Sequence, residues 1–195
     1  AKVVFVSAST LNTNLILLNS KSNRFPNGLG NDNGLLGKFI AFHNYRATIN
    51  AEFEGFPQYT TEGAKPTSHY IPRFRNVYRQ ETDFLRGYAA GFGAQPNRET
   101  NKEGFGAELS DQLLSTKETG VWNVNSHMMG ETIPKETNLV SLDQEKKDAW
   151  GIPLLNIDVD YDDNDEKMIQ DFYEQFSEMY EKSGFINIKI NDNGR

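Results

Sequence analysis

Residues 3–6 of the chain, Val-Val-Phe-Val, form an unbroken apolar run, which is the pattern of a β-strand covered on both faces. A buried strand of this kind needs neighbours supplied by strand-helix-strand units. No later segment offers a second such run followed by a helix. The sequence therefore predicts that this strand belongs to a sheet whose other strands lie outside these 195 residues.

The residues after this run predict a tight turn and a helix. Residues 7–9, Ser-Ala-Ser, are small enough for the turn, and Ser9 or Thr10 can cap the helix. Apolar residues then recur at helical spacing, at Leu11, Leu15 and Leu18. Residues 20–34 are rich in Asn, Gly and Pro, so we expect a surface connection there.

The later segments predict an α+β fold with a mostly antiparallel sheet. Residues 164–182 place their apolar side chains on one broad helical face, with Asp163 or Asn164 as the cap and Gly184 as the terminator. Residues 107–116 predict a shorter helix. Strands are predicted from period-2 patterns at residues 47–55, 87–95, 121–130, 138–143, 153–161 and 186–190, with an edge strand near residues 70–75. We expect the long helix to pack on the apolar face of the sheet and the other face to be wet.

The composition limits the classes of function. Apolar residues make up 37% of the chain and charged residues 24%, which is typical of a soluble globular protein. The sequence has no apolar stretch near the roughly 18 residues that a membrane span needs, and it has no signal peptide pattern, so the compartment stays open. A net charge of −7 disfavours nucleic acid as a partner, and zero cysteines exclude thiolate chemistry.

The acidic segment Asp-Val-Asp-Tyr-Asp-Asp-Asn-Asp-Glu at residues 158–166 raises the possibility of a calcium loop. An EF-hand loop starting at Asp158 would need Gly where Asp163 stands and Glu where Ile169 stands. The first acidic residues of this segment fit the solvent-exposed face of a strand, and the last ones fit the start of a helix. We therefore favour a structural role, with weak cation binding as the alternative.

The remaining motifs give little support for a metal site or for a hydrolase. The three histidines, His43, His69 and His127, do not have the spacing of metal ligands. No Gly-x-Ser-x-Gly elbow is present, so a serine hydrolase has no support. The irregular segment at residues 56–69 mixes aromatic residues, Gly and Pro, and it is our candidate for a lid.

Two stretches resemble the glucose-methanol-choline (GMC) family of flavoprotein oxidoreductases. In the first, residues 1–44, the Ser7-Ala8-Ser9 turn stands where the family usually has Ala-Gly. The matching residues there are Leu17, Leu18, Asn19, Ser20, Gly37 and His43. In the second, residues 130–165, the matching residues are Gly130, Glu131, Pro134, Asn138, Val140, Leu142, Asp148, Trp150, Gly151, Ile152 and Pro153. Residues 45–120 are only loosely similar.

The resemblance implies an enzyme that uses flavin adenine dinucleotide (FAD) to remove hydride from an alcohol carbon while a histidine takes the hydroxyl proton. It implies that residues 1–34 are a remnant of the FAD-binding domain, with Ser7, Ala8 and Ser9 near the cofactor. Residues 35–195 would then be the substrate-binding domain. The dinucleotide motif is expected upstream and the catalytic histidine beyond Arg195, so we expect this fragment alone to be inactive and not to retain FAD.

The same resemblance implies a small alcohol or sugar as the substrate and the rest of the flavin domain as a partner, with neither nucleic acid nor membrane involved. Polar or aromatic residues on strands or near the lid are the candidates for substrate binding. They are His69, Tyr70, Arg73, Asn123 and Asn125. The alternative is a stand-alone, non-catalytic module that binds a carbohydrate or a protein.

Overall fold

The computed structural model describes residues 1–56, 69–96, 104–115 and 120–194, without the side chains of 112–115. Its helices are α1 (Ser9–Asn19), α2 (Ala107–Ser115) and α3 (Asp163–Lys182). Its strands are β1 (His43–Asn44), β2 (Ala47–Phe53), β3 (His69–Ile71), β4 (Tyr88–Pro96), β5 (Trp122–Glu131), β6 (Leu139–Lys147), β7 (Pro153–Asp158) and β8 (Ile186–Asp192).

The chain divides into two compact units. The first unit contains residues 1–42 and 132–161, and the second contains residues 43–131 and 162–195. This division differs from the boundary between residues 34 and 35 that the sequence suggested, because residues 132–161 group with the beginning of the chain. The assignment of residues 1–34 to a cofactor domain stays a prediction.

The second unit is built on an antiparallel sheet with the strand order β3-β4-β5-β2-β8, in which β1 also pairs with β5. The α+β prediction is confirmed. Strand β3 lies at the edge of the sheet and ends at Ile71, directly before Pro72. Proline has no N–H to donate to a neighbouring strand, which suits this position.

Helix α3 covers one face of this sheet and forms the core with it. Strand β2 turns Ala47, Ile49 and Ala51 toward the core, while Asn50 between them is exposed, as the alternation predicts. From α3 the buried apolar residues are Met168, Ile169, Phe172, Phe176 and Tyr180. None of the helices in the described ranges is long and apolar enough to cross a lipid bilayer.

The ends of α3 follow from local chemistry. Asp162 is the N-cap, one residue before the predicted cap, and it forms a reciprocal capping box with Asp165. Asp162 is better placed because its extended backbone lets its carboxylate accept from the N–H groups of Asn164 and Asp165. Gly184 follows the helix with a φ of 77°, so its role as terminator is confirmed.

The first unit contains α1 and the hairpin of β6 and β7, which form a separate two-stranded sheet. Asn138 is buried and fixes the backbone of Asp160 with two hydrogen bonds of 2.9 and 3.2 Å. The Asp148 carboxylate accepts from the N–H groups of Trp150 and Ile152, which closes the turn between the two strands. These motif residues therefore hold the hairpin together.

Residues 3–6 form no strand in this structure, and the expectation that they pair with strands outside these 195 residues stays a prediction. Val3, Val4 and Phe5 are 68%, 75% and 89% exposed, and no strand of the described chain pairs with them. An apolar run has no ladder hydrogen bonds without a neighbouring strand. The predicted side-chain cap of α1 is also absent, because Ala8 occupies the N-cap position and makes no capping hydrogen bond.

Candidate functional site

The face of the second unit's sheet opposite α3 is polar. Residues that pair directly across antiparallel strands lie on the same face. The register pairs Asn50 with Asn125, Asn125 with Gly93, and Asn123 with Gln95. These side chains alternate along β2 and β5 with the core residues Ile49, Ala51 and Val124, so they point away from α3. We call this side the uncovered face.

A cavity of about 720 Å³ opens on the uncovered face. That volume lies within the range of sites that bind small molecules. Its polar lining comes from four strands, β2, β4, β5 and β8. Among the described lining residues, five carry a carboxamide, namely Asn50, Gln95, Asn123, Asn125 and Asn187.

Two hydrogen bonds tie the side chains of this cavity together. Asn125 Nδ2 donates to Asn50 Oδ1 at 2.7 Å, which joins the two central strands on the exposed side. Asn187 Nδ2 donates to Glu52 Oε2 at 2.6 Å and joins β8 to β2. Fixed side chains lose less conformational entropy when a ligand binds, so both pairs would lower the entropic cost of binding in this cavity.

His127 lies further along β5 on the same face. Its ring packs directly over Gly91, where a Cβ atom would overlap the imidazole. The Tyr45 ring is 6.1 Å from the His127 ring, between centroids, and the His43 ring is 5.4 Å from Tyr45. The lack of a side chain at Gly91 therefore allows the imidazole to lie flat against the sheet.

The structure separates the five predicted substrate residues. Tyr70 pairs with Gly91, which pairs with His127, so Tyr70 shares the uncovered face with Asn123 and Asn125. His69 points to the other side, where its ring lies 6.0 Å from that of Phe92.

Arg73 lies on the loop after β3 and organises that loop. Its guanidinium donates to the carbonyl oxygens of Arg75, at 2.9 Å, and Asn76, at 2.5 Å. Its charged partner is Glu131, 3.9 Å away, at the end of β5 remote from Asn123. The structure does not bring Arg73 to the carboxamide cavity.

The three residues predicted to lie near a cofactor are at the start of α1, with Ser7 before the helix, Ala8 as its N-cap and Ser9 as its first residue. The backbone N–H of Ala8 donates to Thr13 Oγ1 at 3.3 Å, and the first turn of the helix has no acidic residue. The first N–H groups of α1 consequently receive no side-chain cap.

Sequence reasoning missed Asn50, Glu52, Gln95, His127 and Lys189 as candidates. The alternation along residues 47–55 had already placed Asn50 and Glu52 on the wet face. The same alternation along β5 continues from Asn125 to His127. The signal was present, but the pairing of distant strands that joins these residues is not visible in one sequence.

A smaller cavity of about 320 Å³ lies on the α3 side of the same sheet. Its lining is aromatic and apolar and includes Phe53, Phe56, Trp122 and Phe185. Trp122 Nε1 donates to the Phe56 carbonyl oxygen at 3.3 Å, so the only indole in this lining already has a partner.

Two buried tyrosines on the α3 side titrate abnormally for structural reasons. Burial raises the pKa of Tyr180 to about 12, and its hydroxyl is 2.6 Å from that of Ser126. Burial and a hydrogen bond to the Asp171 carboxylate raise the pKa of Tyr88 well above its ordinary value. Both hydroxyls therefore remain protonated within the core at neutral pH.

The acidic segment before α3 serves the helix. Glu166 pairs with Arg46, Asp163 pairs with Lys167, and Asp165 belongs to the capping box. In the ranges that the structure describes, no three acidic or histidine side chains converge to hold a metal ion. The structural interpretation of this segment is supported by these pairs. Of the lid predicted at residues 56–69, residues 57–68 lie outside the described residues.

The chain is similar to parts of two characterised enzymes. It is 33% identical over 183 residues to 2-methyl-1,2-propanediol dehydrogenase of Mycolicibacterium austroafricanum, which covers 85% of this chain and 30% of that protein. It is 26% identical over 169 residues to the fructose dehydrogenase large subunit of Gluconobacter japonicus, which covers 82% of this chain and 29% of that protein. No family model matches the chain. The chain spans less than a third of the length of these relatives, and both are named as dehydrogenases, which relates it to oxidoreductases.

Proposed function

We propose that this chain is the substrate-binding part of an FAD-dependent oxidoreductase of the GMC family that oxidises an alcohol or a sugar. The observation that carries the proposal is the polar uncovered face with its cavity of about 720 Å³, present in a chain similar to two dehydrogenases. Both relatives are named for compounds with more than one hydroxyl group, a diol and fructose.

The chain's contribution would be to hold the alcohol. Carboxamides such as Asn123 and Asn125 can both donate to and accept from hydroxyl groups. Such bonds fix the orientation of the carbon that is oxidised, and correct orientation is a large part of catalysis. Bound FAD would supply the acceptor for the hydride. We assign the catalytic base to none of this chain's three histidines and expect it beyond Arg195.

The turn at Ser7, Ala8 and Ser9 fits a nucleotide cofactor in two respects. The residues are small, and the N-terminus of α1 has neither a side-chain cap nor an acidic residue in its first turn. Uncapped N–H groups at the start of a helix are favourable neighbours for a phosphate group. These three residues would therefore lie beside the phosphates of FAD in the complete protein.

The exposed run Val3, Val4 and Phe5 also supports a larger protein. Apolar side chains that are 68% to 89% exposed are unfavourable in water, and a neighbouring strand would bury them. We propose that residues 1–34 join the flavin domain in this way, while residues 35–195 supply the substrate face.

The test is expression of the longer reading frame that contains this chain and its flanking sequence. We expect a yellow protein whose flavin absorbance is lost when a 1,2-diol or fructose is added without oxygen. The control is the same protein mixed with the solvent alone. A colourless protein that oxidises no alcohol would contradict the proposal and favour a non-catalytic binding module.

A further inference from the structure

The cavity on the uncovered face has the chemistry of a site for several hydroxyl groups at once. Each carboxamide offers one acceptor oxygen and two N–H donors in a plane. A hydroxyl group donates once and accepts through its oxygen. Neighbouring hydroxyls of a sugar or polyol can therefore satisfy both ends of one carboxamide. The described part of the lining presents five carboxamides, on Asn50, Gln95, Asn123, Asn125 and Asn187.

Most of this bonding capacity is available to a ligand. The bond from Asn125 to Asn50 uses one N–H of Asn125 and one acceptor of Asn50, which leaves the oxygen of Asn125 and both N–H groups of Asn50. Within the described part of the chain, no side-chain hydrogen bond occupies Asn123 or Gln95. The site thus combines a fixed central pair with unoccupied groups around it.

The charges of the cavity favour a neutral ligand. Among the described residues of its lining, Glu52 and Lys189 are the ionisable ones, one acidic and one basic, so their formal charges cancel. A phosphate or carboxylate ligand usually requires an excess of positive charge or a bidentate arginine. Among the described residues the cavity contains no arginine, which distinguishes it from a site for an anion.

The cavity also disfavours an apolar alcohol. No aromatic side chain of the described residues lines it, whereas four line the smaller cavity on the α3 side. An apolar ligand would displace water from the carboxamides without replacing its hydrogen bonds, and unpaired buried polar groups are costly. A ligand with many hydroxyls avoids this cost.

We infer that the cavity binds a neutral polyhydroxylated compound, a sugar or polyol, through Asn50, Asn123, Asn125 and Gln95, in preference to a monohydric apolar alcohol. As a statement about substrate this inference rests on the proposed function. As a statement about binding it concerns this chain alone.

The experiment is NMR titration of the ¹⁵N-labelled 195-residue chain with sorbitol and, separately, with cyclohexanol, which has the same number of carbon atoms. We expect saturable shifts of the side-chain amide signals of Asn50, Asn123, Asn125 and Gln95 with sorbitol, and at most weak shifts with cyclohexanol. The double variant N123A/N125A should weaken sorbitol binding roughly 5- to 150-fold, since it removes at least two neutral hydrogen bonds that contribute about 0.5–1.5 kcal/mol each.

The control variant is Gln170→Ala, which removes an exposed carboxamide from α3, on the other side of the sheet. Its sorbitol binding should equal that of the unmodified chain. If the double variant does not fold, the shift map of the unmodified chain decides the question. Binding of cyclohexanol that equals or exceeds that of sorbitol, or sorbitol shifts confined to other residues, would overturn the inference.

The polyol site and the flavin-dependent enzyme can be contradicted independently of each other. Sorbitol binding at these residues, together with a longer protein that lacks flavin, would support the site and contradict the enzyme. Flavin reduction by cyclohexanol but not by a polyol would support the enzyme and contradict the site.

Discussion

The two faces of the sheet in the second unit differ in what their side chains do. On the α3 side, Ile49, Phe172 and Phe176 are at most 2% exposed and fill the core. On the uncovered face, the same strands carry Asn50 and Asn125, which bond to one another in contact with solvent. The period-2 geometry of a strand lets neighbouring residues in one segment serve stability and binding separately.

This difference has an energetic consequence. Substitutions on the α3 side remove packing and leave cavities, whereas substitutions on the uncovered face remove groups that water can replace. Stability measurements should therefore detect substitutions on the α3 side, and binding measurements should detect substitutions on the uncovered face.

The largest expected loss comes from Phe172→Ala. Phe172 is fully buried, and its ring centroid lies 4.4 Å from that of Phe176 and 5.7 Å from that of Tyr88. We expect the free energy of unfolding to fall by about 3–5 kcal/mol, as for other large-to-small changes in cores. Urea denaturation measures it, with Asn125→Ala as the control that should change stability by less than about 0.5 kcal/mol. Equal losses in the two variants would contradict the division between the faces.

The next effect concerns the ion pairs that fasten α3 to the sheet. Arg46 has a side chain that is 6% exposed, and it donates to Asp192 at 2.6 Å and to Glu166 at 2.5 Å. The two carboxylates raise the pKa of Arg46 above its already high value, so it is charged at all ordinary pH values. Arg46→Met leaves two acids without this cation and should cost about 2–3 kcal/mol by urea denaturation.

The matched control is Arg24→Met. Arg24 and Asp32 form a pair in which both side chains are more than half exposed. Exposed pairs of this kind are worth about 0–1 kcal/mol. A loss for Arg24→Met as large as that for Arg46→Met would show that burial of the pair is unimportant.

Alkaline pH should lower the free energy of unfolding, because Tyr180 on the α3 side loses its proton. Its folded-state pKa of about 12 exceeds the ordinary tyrosine value of about 10, so the folded state holds the proton more tightly. The stability contribution is therefore complete below about pH 10 and is lost as pH rises toward 12. Urea denaturation across this pH range should show a decline in the free energy of unfolding. In Tyr180→Phe, this free energy should fall less steeply with pH.

The slope in Tyr180→Phe should not vanish, because the pKa of Tyr88 is raised as well and in the same direction. An identical slope with and without the Tyr180 hydroxyl would mean that Tyr180 titrates normally.

The smallest expected change compares two glycines of β4 that share the uncovered face. A Cβ atom at Gly91 would overlap the His127 ring, whereas one at Gly93 would meet no atom of the described residues within 4 Å. Gly91→Ala should displace the imidazole and lower stability by about 1 kcal/mol. Gly93→Ala should be neutral or slightly stabilising, because alanine restricts the unfolded chain. Denaturation and the NMR signals of the His127 ring measure both; unchanged signals in Gly91→Ala would contradict the packing described.

Local patterns were enough to predict most elements of the second unit. The amphipathic period of α3, the alternation of β2 and β5, and Pro72 after β3 each depend on nearby residues. The cap of α3 was one residue off because three consecutive residues, Asp162, Asp163 and Asn164, are all good N-caps. Only the backbone conformation selects among them.

Two other features depend on residues that are distant in the sequence or lie outside it. The run at residues 3–6 has the composition of a strand, but strand formation requires a partner that this chain does not provide among its described residues. Of the predicted substrate residues, Asn123 and Asn125 line the cavity on the uncovered face together with Asn50 and Gln95, and their role stays a prediction. His69 and Arg73 were chosen by residue type. Neither the type of a residue nor its position in the sequence reveals the strand register, which places both of them away from the cavity.

We propose that the uncovered face holds the substrate of a flavin-dependent enzyme. The most direct measurement is the rate of flavin reduction against polyol concentration in the longer protein, for the unmodified enzyme, Asn125→Ala and Gln170→Ala. We expect Asn125→Ala to raise the half-saturating polyol concentration by about 3-fold or more, and Gln170→Ala to leave it unchanged. Identical concentration curves for all three proteins would contradict the claim.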